Sequence, residues 1–164
     1  MKKRYYVILL AFIFFVLFNF LSQFRLVLIS GQSMEPTLHN NTLIFLRKEN
    51  EIQREHIVSF TAPKSWSYLE DKSLIKRVIA GPNDNLKINS DFVYVNNKER
   101  VRIKGKVRIE QELDITLKED EYFVMGDNVG RSNDSLYEYS LGNNDFLVKR
   151  NLITYSTGDY PFEK

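Results

Sequence analysis

The chain has 164 residues and a net charge of only +2, with its 23 lysines and arginines scattered along its length, so no electrostatic footprint for nucleic acid stands out. Cysteine is absent, which excludes disulfides, Cys-ligated zinc and a thiol nucleophile. With only His39 and His56 besides, no metal or other cofactor is expected. A domain built without cysteine rests on its apolar core, and 43% hydrophobic residues suffice for one of modest size.

Met1-Lys2-Lys3-Arg4 is a compact basic cluster, and Tyr5 to Leu21 is apolar but for Asn19. About 17 residues at ~1.5 Å each span roughly 25 Å, enough for a thin hydrocarbon core. Basic residues in front predict that 1–4 stay in the cytoplasm and that 24–164 lie outside. The rival is a cleavable signal peptide. Leu21-Ser22-Gln23-Phe24-Arg25 offers no small-x-small cleavage site, so an uncleaved anchor over 5–23 is favoured.

Leu26 to Ile29 reads as a short strand leading into Ser30-Gly31-Gln32-Ser33-Met34-Glu35-Pro36-Thr37-Leu38. Pro36 fixes its own φ and pushes Glu35 toward an extended conformation, so the chain turns just after Ser33. Gly31 would allow close backbone approach and leave amides unshielded. A hydroxyl on such a corner suits a nucleophile with an oxyanion pocket beside it, although an ordinary loop serine fits the same letters. Chain reach alone keeps Ser33 within ~35 Å of the apolar run.

Beyond this corner the chain reads as mainly β. Thr42 to Leu46, His56 to Phe60, Leu74 to Ala80 and Tyr122 to Met125 are short runs rich in β-branched or aromatic residues. Between them Leu86 to Ile88, Phe92 to Val95, Arg100 to Ile103 and Val107 to Ile109 alternate cleanly, with turns at Ser90-Asp91 and Asn96-Asn97. That alternation predicts an antiparallel sheet with one wet face. Trp66, Tyr68, Tyr155, Tyr160 and Phe162 suit either a headgroup region or the edge of the core.

Two further stretches bear on chemistry. In Ser73-Leu74-Ile75-Lys76-Arg77-Val78-Ile79-Ala80-Gly81-Pro82-Asn83-Asp84, a strand puts Leu74, Lys76 and Val78 on one face and Ile75, Arg77 and Ile79 on the other. Arginine keeps its proton, whereas a desolvated lysine can shed it and serve as a base; an edge lysine snorkelling to water is the alternative. Met125-Gly126-Asp127-Asn128-Val129-Gly130-Arg131-Ser132-Asn133-Asp134-Ser135 reads as a tight, polar, ordered loop. A hydroxyl such as Ser132 could orient the amine there, and Asp127 or Asp134 could hold loop amides or pair with an arginine.

Together these stretches resemble the type I signal peptidase family, membrane-anchored serine/lysine proteases. The likeness runs through nearly the whole chain in order: anchor, Ser-Met-x-Pro-Thr, Lys-Arg-Val-Ile-x-x-Pro-x-Asp, then Gly-Asp-Asn and Ser-x-Asp-Ser. It implies Ser33 as nucleophile, Lys76 as general base, Ser132 as the serine orienting the lysine and Asp134 as a supporting acid. Gly31, Met34 and Asp127 fall on supporting positions, and the oxyanion site would come from Gly31 to Ser33, mainly the Ser33 amide. The implied fold is a β catalytic core with a smaller β-subdomain inserted over 82–121. The implied partners are signal peptides of exported precursors and membrane lipid.

The chain departs from the family pattern at several positions. Leu136 replaces an arginine, leaving Asp134 without its expected partner unless Arg131 reaches across. Ala80 and Asn83 replace glycines of a turn, and Glu55-His56 stands where Gly-Asp is usual. These changes motivate two further readings: a specialised accessory member, or a non-catalytic homologue acting as a chaperone-like binding module. A cytosolic self-cleaving repressor-type peptidase also uses Ser and Lys, but the anchor disfavours it.

Overall fold

The computed structural model describes residues 2–66, 69–105 and 107–158. Helix α1 (Lys2–Leu21) has 20 residues and is about 30 Å long. Its Arg4–Leu21 stretch has a mean hydropathy of 2.1 and is exposed along its length, so it is long and apolar enough to cross a membrane. Ser22 closes it, its hydroxyl donating to the Asn19 carbonyl.

Strand β1 (Phe24–Leu28) follows almost at once, and β2 (Leu43–Arg47) returns antiparallel beside it. The sheet continues through β3 (Ile57–Thr61), β4 (Ser73–Ala80), β9 (Glu121–Met125), β10 (Val148–Lys149) and β11 (Ile153–Ser156), in the order β1-β2-β11-β3-β4-β9-β10. A second sheet of four strands interrupts it between β4 and β9: β5 (Asn85–Ile88), β6 (Phe92–Val95), β7 (Lys98–Arg102) and β8 (Leu113–Thr116), ordered β7-β6-β5-β8. Asn96 and Asn97 both take positive φ, 51° and 62°, and form the two-residue turn between β6 and β7. Asparagine tolerates that region better than most residues, which suits it to this hairpin.

Apolar packing joins the parts. The inner face of the second sheet (Leu86, Ile88, Val93, Val95) packs with Ile79, Phe123 and Leu136 of the main body. A second cluster holds Val58, Phe60, Trp66, Val78 and Val124; a third sits under the Ser33 corner, with Met34, Leu38, Ile44, Leu46 and Ile57. Burial of each large side chain stabilises the fold by about 1.5–3 kcal/mol.

The structure departs from the sequence reading in a few places. Val107 to Ile109 alternate in sequence but form no strand; the fourth strand of the small sheet is β8, whose four residues Leu113-Asp114-Ile115-Thr116 alternate but follow a charged stretch, Glu110-Gln111-Glu112. The edge strand β10 and the β11 strand carry too little local signal, as does α2 (Ser135–Ser140), a helix of six residues. Trp66 is fully buried, edge-on to Phe60, and donates its indole N–H to the Asp145 carbonyl at 3.0 Å, so it belongs to the core and not to a headgroup region. Tyr155 packs against the third cluster under the Arg25 guanidinium. Tyr68, Tyr160 and Phe162 lie outside the described residues.

Candidate active site

The site forms where the loop after β1 meets the middle of β4. Met34 and Leu38, both buried, root this loop in the apolar cluster beneath it. Gly31 takes φ 99°, and its N–H donates to Asn40 Oδ1 at 2.8 Å. Nothing lies within 4 Å of the place where a Gly31 side chain would begin. The close approach read from the sequence is therefore absent; the glycine is needed for its positive φ. Its amide is already engaged, whereas no hydrogen bond within the described residues engages the Ser33 N–H.

Lys76 stands opposite Val58 in the β3–β4 register and is only 4% exposed. Its Nζ lies 2.9 Å from Ser33 Oγ, a residue 43 positions earlier, and 3.0 Å from the Ile75 carbonyl. Burial pushes the Lys76 amine below lysine's ordinary pKa of 10.5, and the charge of Asp134 partly opposes that. A partly exposed hydroxyl and a buried amine with a depressed pKa thus share one hydrogen bond.

Asp134 is buried and held by backbone. Its Oδ1 accepts from the Leu136 and Tyr137 amides at the start of α2, and its Oδ2 accepts from Gly126 N at 2.9 Å. Burial raises its carboxyl above the ordinary range, and these amides and Lys76 pull the other way. Leu136 is buried in the core, so the arginine expected there is replaced by packing and Asp134 is supported by amides instead. Arg131 does not reach Asp134; it donates to Gln32 Oε1 at 2.9 Å. Ser135 Oγ accepts from Val124 N, tying the helix start to β9.

Ser132 Oγ is buried beside Gly126 and makes no hydrogen bond of ordinary geometry, to Lys76 or to any other described group. It nonetheless lies near enough to Asp134 to favour that carboxylate's charged form. Asp127 pairs with Arg77 through two bonds, at 2.8 and 2.7 Å, and Arg77 also donates to the Glu55 carbonyl. Asn83 and Glu55 take φ of 63° and 71°, backbone that glycine usually supplies; the Gly81–Asp84 turn persists through Gly81 N donating to Asp84 Oδ2.

Three residues that the sequence reading did not place at the Ser33 corner hold it there. Asn128 donates its backbone N–H to the Ser33 carbonyl and its side-chain amide to the Gln32 carbonyl, while Arg131 holds the Gln32 side chain. Gly126 is the third: a Cβ there would lie 2.3 Å from the Ser33 carbonyl oxygen and 2.4 Å from Ser132 Oγ. The glycine of the Gly-Asp-Asn stretch was the available signal, but its partner across the site was invisible in the sequence.

The partly exposed Ser33 hydroxyl and the buried Lys76 amine therefore meet beside the main sheet, and the comparisons place this fold in a peptidase family. A family model described as signal peptidase, peptidase S26, matches residues 2–155, and the chain belongs to that family. A signal peptidase I of Bacillus amyloliquefaciens is 31% identical over 132 residues, covering 71% of this chain and 66% of that protein. The signal peptidase I P of Bacillus subtilis subsp. natto is 30% identical over 140 residues, covering 76% and 73%. The crystal structure of a signal peptidase I from Enterococcus faecalis V583 is 23% identical, with a TM-score of 0.45 over 63% of this chain and 94% of that one.

Proposed function

We propose that this chain is a serine endopeptidase that removes signal peptides from exported precursors at the outer face of the membrane. The observation that carries the reading is the 2.9 Å contact between Ser33 Oγ and the buried Lys76 Nζ. Neutral Lys76 takes the Ser33 proton as Oγ attacks the scissile carbonyl. The oxyanion forms beside the free Ser33 N–H. Lys76 then hands the proton to the departing amine, leaving an acyl-Ser33 ester. A water deprotonated by Lys76 attacks that ester and regenerates the hydroxyl.

The strand pairing supports a place for substrate. Strand β9 pairs with β4 only from Arg77 onward, so the Ser73–Lys76 edge away from β3 is unpaired. An extended peptide adding a strand there, alongside the segment before Ser33, would present its carbonyl to Oγ. In this reading 1–4 are cytoplasmic, 5–23 form a single anchor, and 24–164 form the peptidase domain with 82–121 inserted. Phe24, Leu26, Leu28, Leu43 and Phe45 share one face of the β1–β2 pair directly after α1, each at least 40% exposed, which supports contact with lipid.

The test uses the full-length chain in detergent with a precursor peptide, the products read by mass spectrometry. Cleavage at one bond that disappears in Ser33→Ala, with the peptide still bound, is expected. Binding without cleavage by the parent chain would instead establish the chaperone-like module.

A further inference from the structure

We infer that the groove adjoining Ser33 receives the part of the precursor that follows the cut, and that it favours acidic side chains there. This rests on the endopeptidase reading. Lys76 is the last residue of β4 on the unpaired edge; further along the strand Arg77 and Ile79, on its other face, line a groove of about 940 Å³. Glu35 to Thr37, immediately after Ser33, form part of its wall. A chain whose signal-peptide end lies along Ser73–Lys76 continues past Ser33 into this groove. Its volume lies in the range of pockets that enclose a ligand.

The charge of the groove gives it a preference. Five basic side chains line it against two acidic ones, and Asp127 is already taken by Arg77. Among the described residues no carboxylate pairs with Arg100, Arg102 or Lys104. These cations recur at every second residue, with Val101 and Ile103 between them packed toward the core. Arg102 rests over the Phe92 ring, which steadies the guanidinium without neutralising it.

The approach of the two loops is built in. A Cβ on Gly105 would lie 2.9 Å from the Gly130 Cα, so the end of the cationic run abuts the loop that carries Asp127 and Arg131. The second sheet thereby brings unpaired positive charge to the exit side of the nucleophile. A concave groove suits an inserted peptide better than a flat lipid surface, and the apolar β1–β2 face is the surface suited to lipid.

The test measures binding of fluorescent peptides to full-length Ser33→Ala in neutral detergent. The peptides match through the scissile bond and carry aspartates, asparagines or lysines after it. The aspartate peptide is expected to bind about tenfold more tightly than the asparagine peptide at low salt, with the lysine peptide weakest. In Arg100→Gln/Arg102→Gln/Lys104→Gln that ratio falls to about one, and in Arg100→Glu/Lys104→Glu the order inverts. With Ser33 intact, kcat/KM follows the same order. Equal affinities in the parent, or a preference that survives the triple change, overturn the inference. So does a triple variant that loses only its binding to phosphatidylglycerol vesicles, which would make lipid the occupant. Specific cleavage without charge preference overturns the groove alone, whereas charge-selective binding without cleavage overturns the peptidase reading.

Discussion

Lys76 and Arg77 are neighbours in sequence whose side chains leave β4 on opposite faces, the amine reaching Ser33 and the guanidinium clasping Asp127. One cation has its pKa depressed by burial, and among the described residues its amine bonds a hydroxyl and a carbonyl. The other is held charged by a carboxylate at two points. The strand thus sets a buried amine with a lowered pKa directly beside a structural ion pair.

Cleavage is expected to rise with pH through an apparent pKa below lysine's ordinary 10.5, because burial favours the neutral amine. A flat rate between about pH 6 and about pH 10 would remove lysine as the base. Stability carries the same signature. Between the folded and unfolded pKa of Lys76 the unfolded chain binds more protons, so this residue's contribution makes stability rise with pH across that window. Lys76→Met should abolish cleavage yet melt no lower than the parent at neutral pH, with the gap narrowing as pH approaches 10.5. Thermal melts of the full-length protein at several pH values check it.

Asp134→Asn separates two roles of one carboxylate. Both oxygens accept backbone N–H groups, and an amide keeps only one acceptor, so a loss of about 1–3 kcal/mol is expected. The Asp134 charge also holds the Lys76 pKa up. Its removal should therefore move the acid limb of the pH–rate profile to lower pH. A limb that stays in place or moves upward contradicts the coupling.

Gly126→Ala tests the contact beneath Ser33, the proposed nucleophile. The added methyl would lie 2.3 Å from the Ser33 carbonyl, so the corner must shift. Displacement on the scale of 1 Å costs about 10²-fold in rate. A fall of that size in kcat, with peptide affinity changed far less, is the expected outcome of steady-state kinetics. Parental kcat would show that the corner moves without consequence.

Arg77→Gln or Asp127→Asn leaves half of a partly buried pair behind. Each should lower stability by about 1–3 kcal/mol, read from denaturant unfolding of the full-length chain. Replacing both with apolar residues should restore much of it. Additive losses in the double variant would mean that the two groups do not support one another.

The sequence was most legible where local chemistry repeats. The apolar run of α1, the alternation of β5, β6 and β7, and the Asn96-Asn97 turn are written in adjacent letters. Legibility failed where structure depends on distant partners. Strand β11 lies between β2 and β3, and only chain closure supplies its neighbours. Trp66 sits in a polar stretch and is buried because Phe60 and the Asp145 carbonyl meet it from elsewhere. Leu136 looked like a lost arginine until the buried cluster around it and the amides on Asp134 came into view.

The letters alone determined that a hydroxyl, a lysine and a glycine–aspartate loop occur in order behind an apolar helix, because residue type and spacing are local properties. They equally determined that lysine, and not the adjacent arginine, can become a base, since only its proton is removable in a dry setting. Only the folded chain decided that Lys76 is buried against Ser33, that Ser132 stays apart from the amine, and that Asp134 rests on backbone amides. Burial and distance arise from packing between segments far apart in the chain, and those packing terms have no counterpart in a single stretch of sequence.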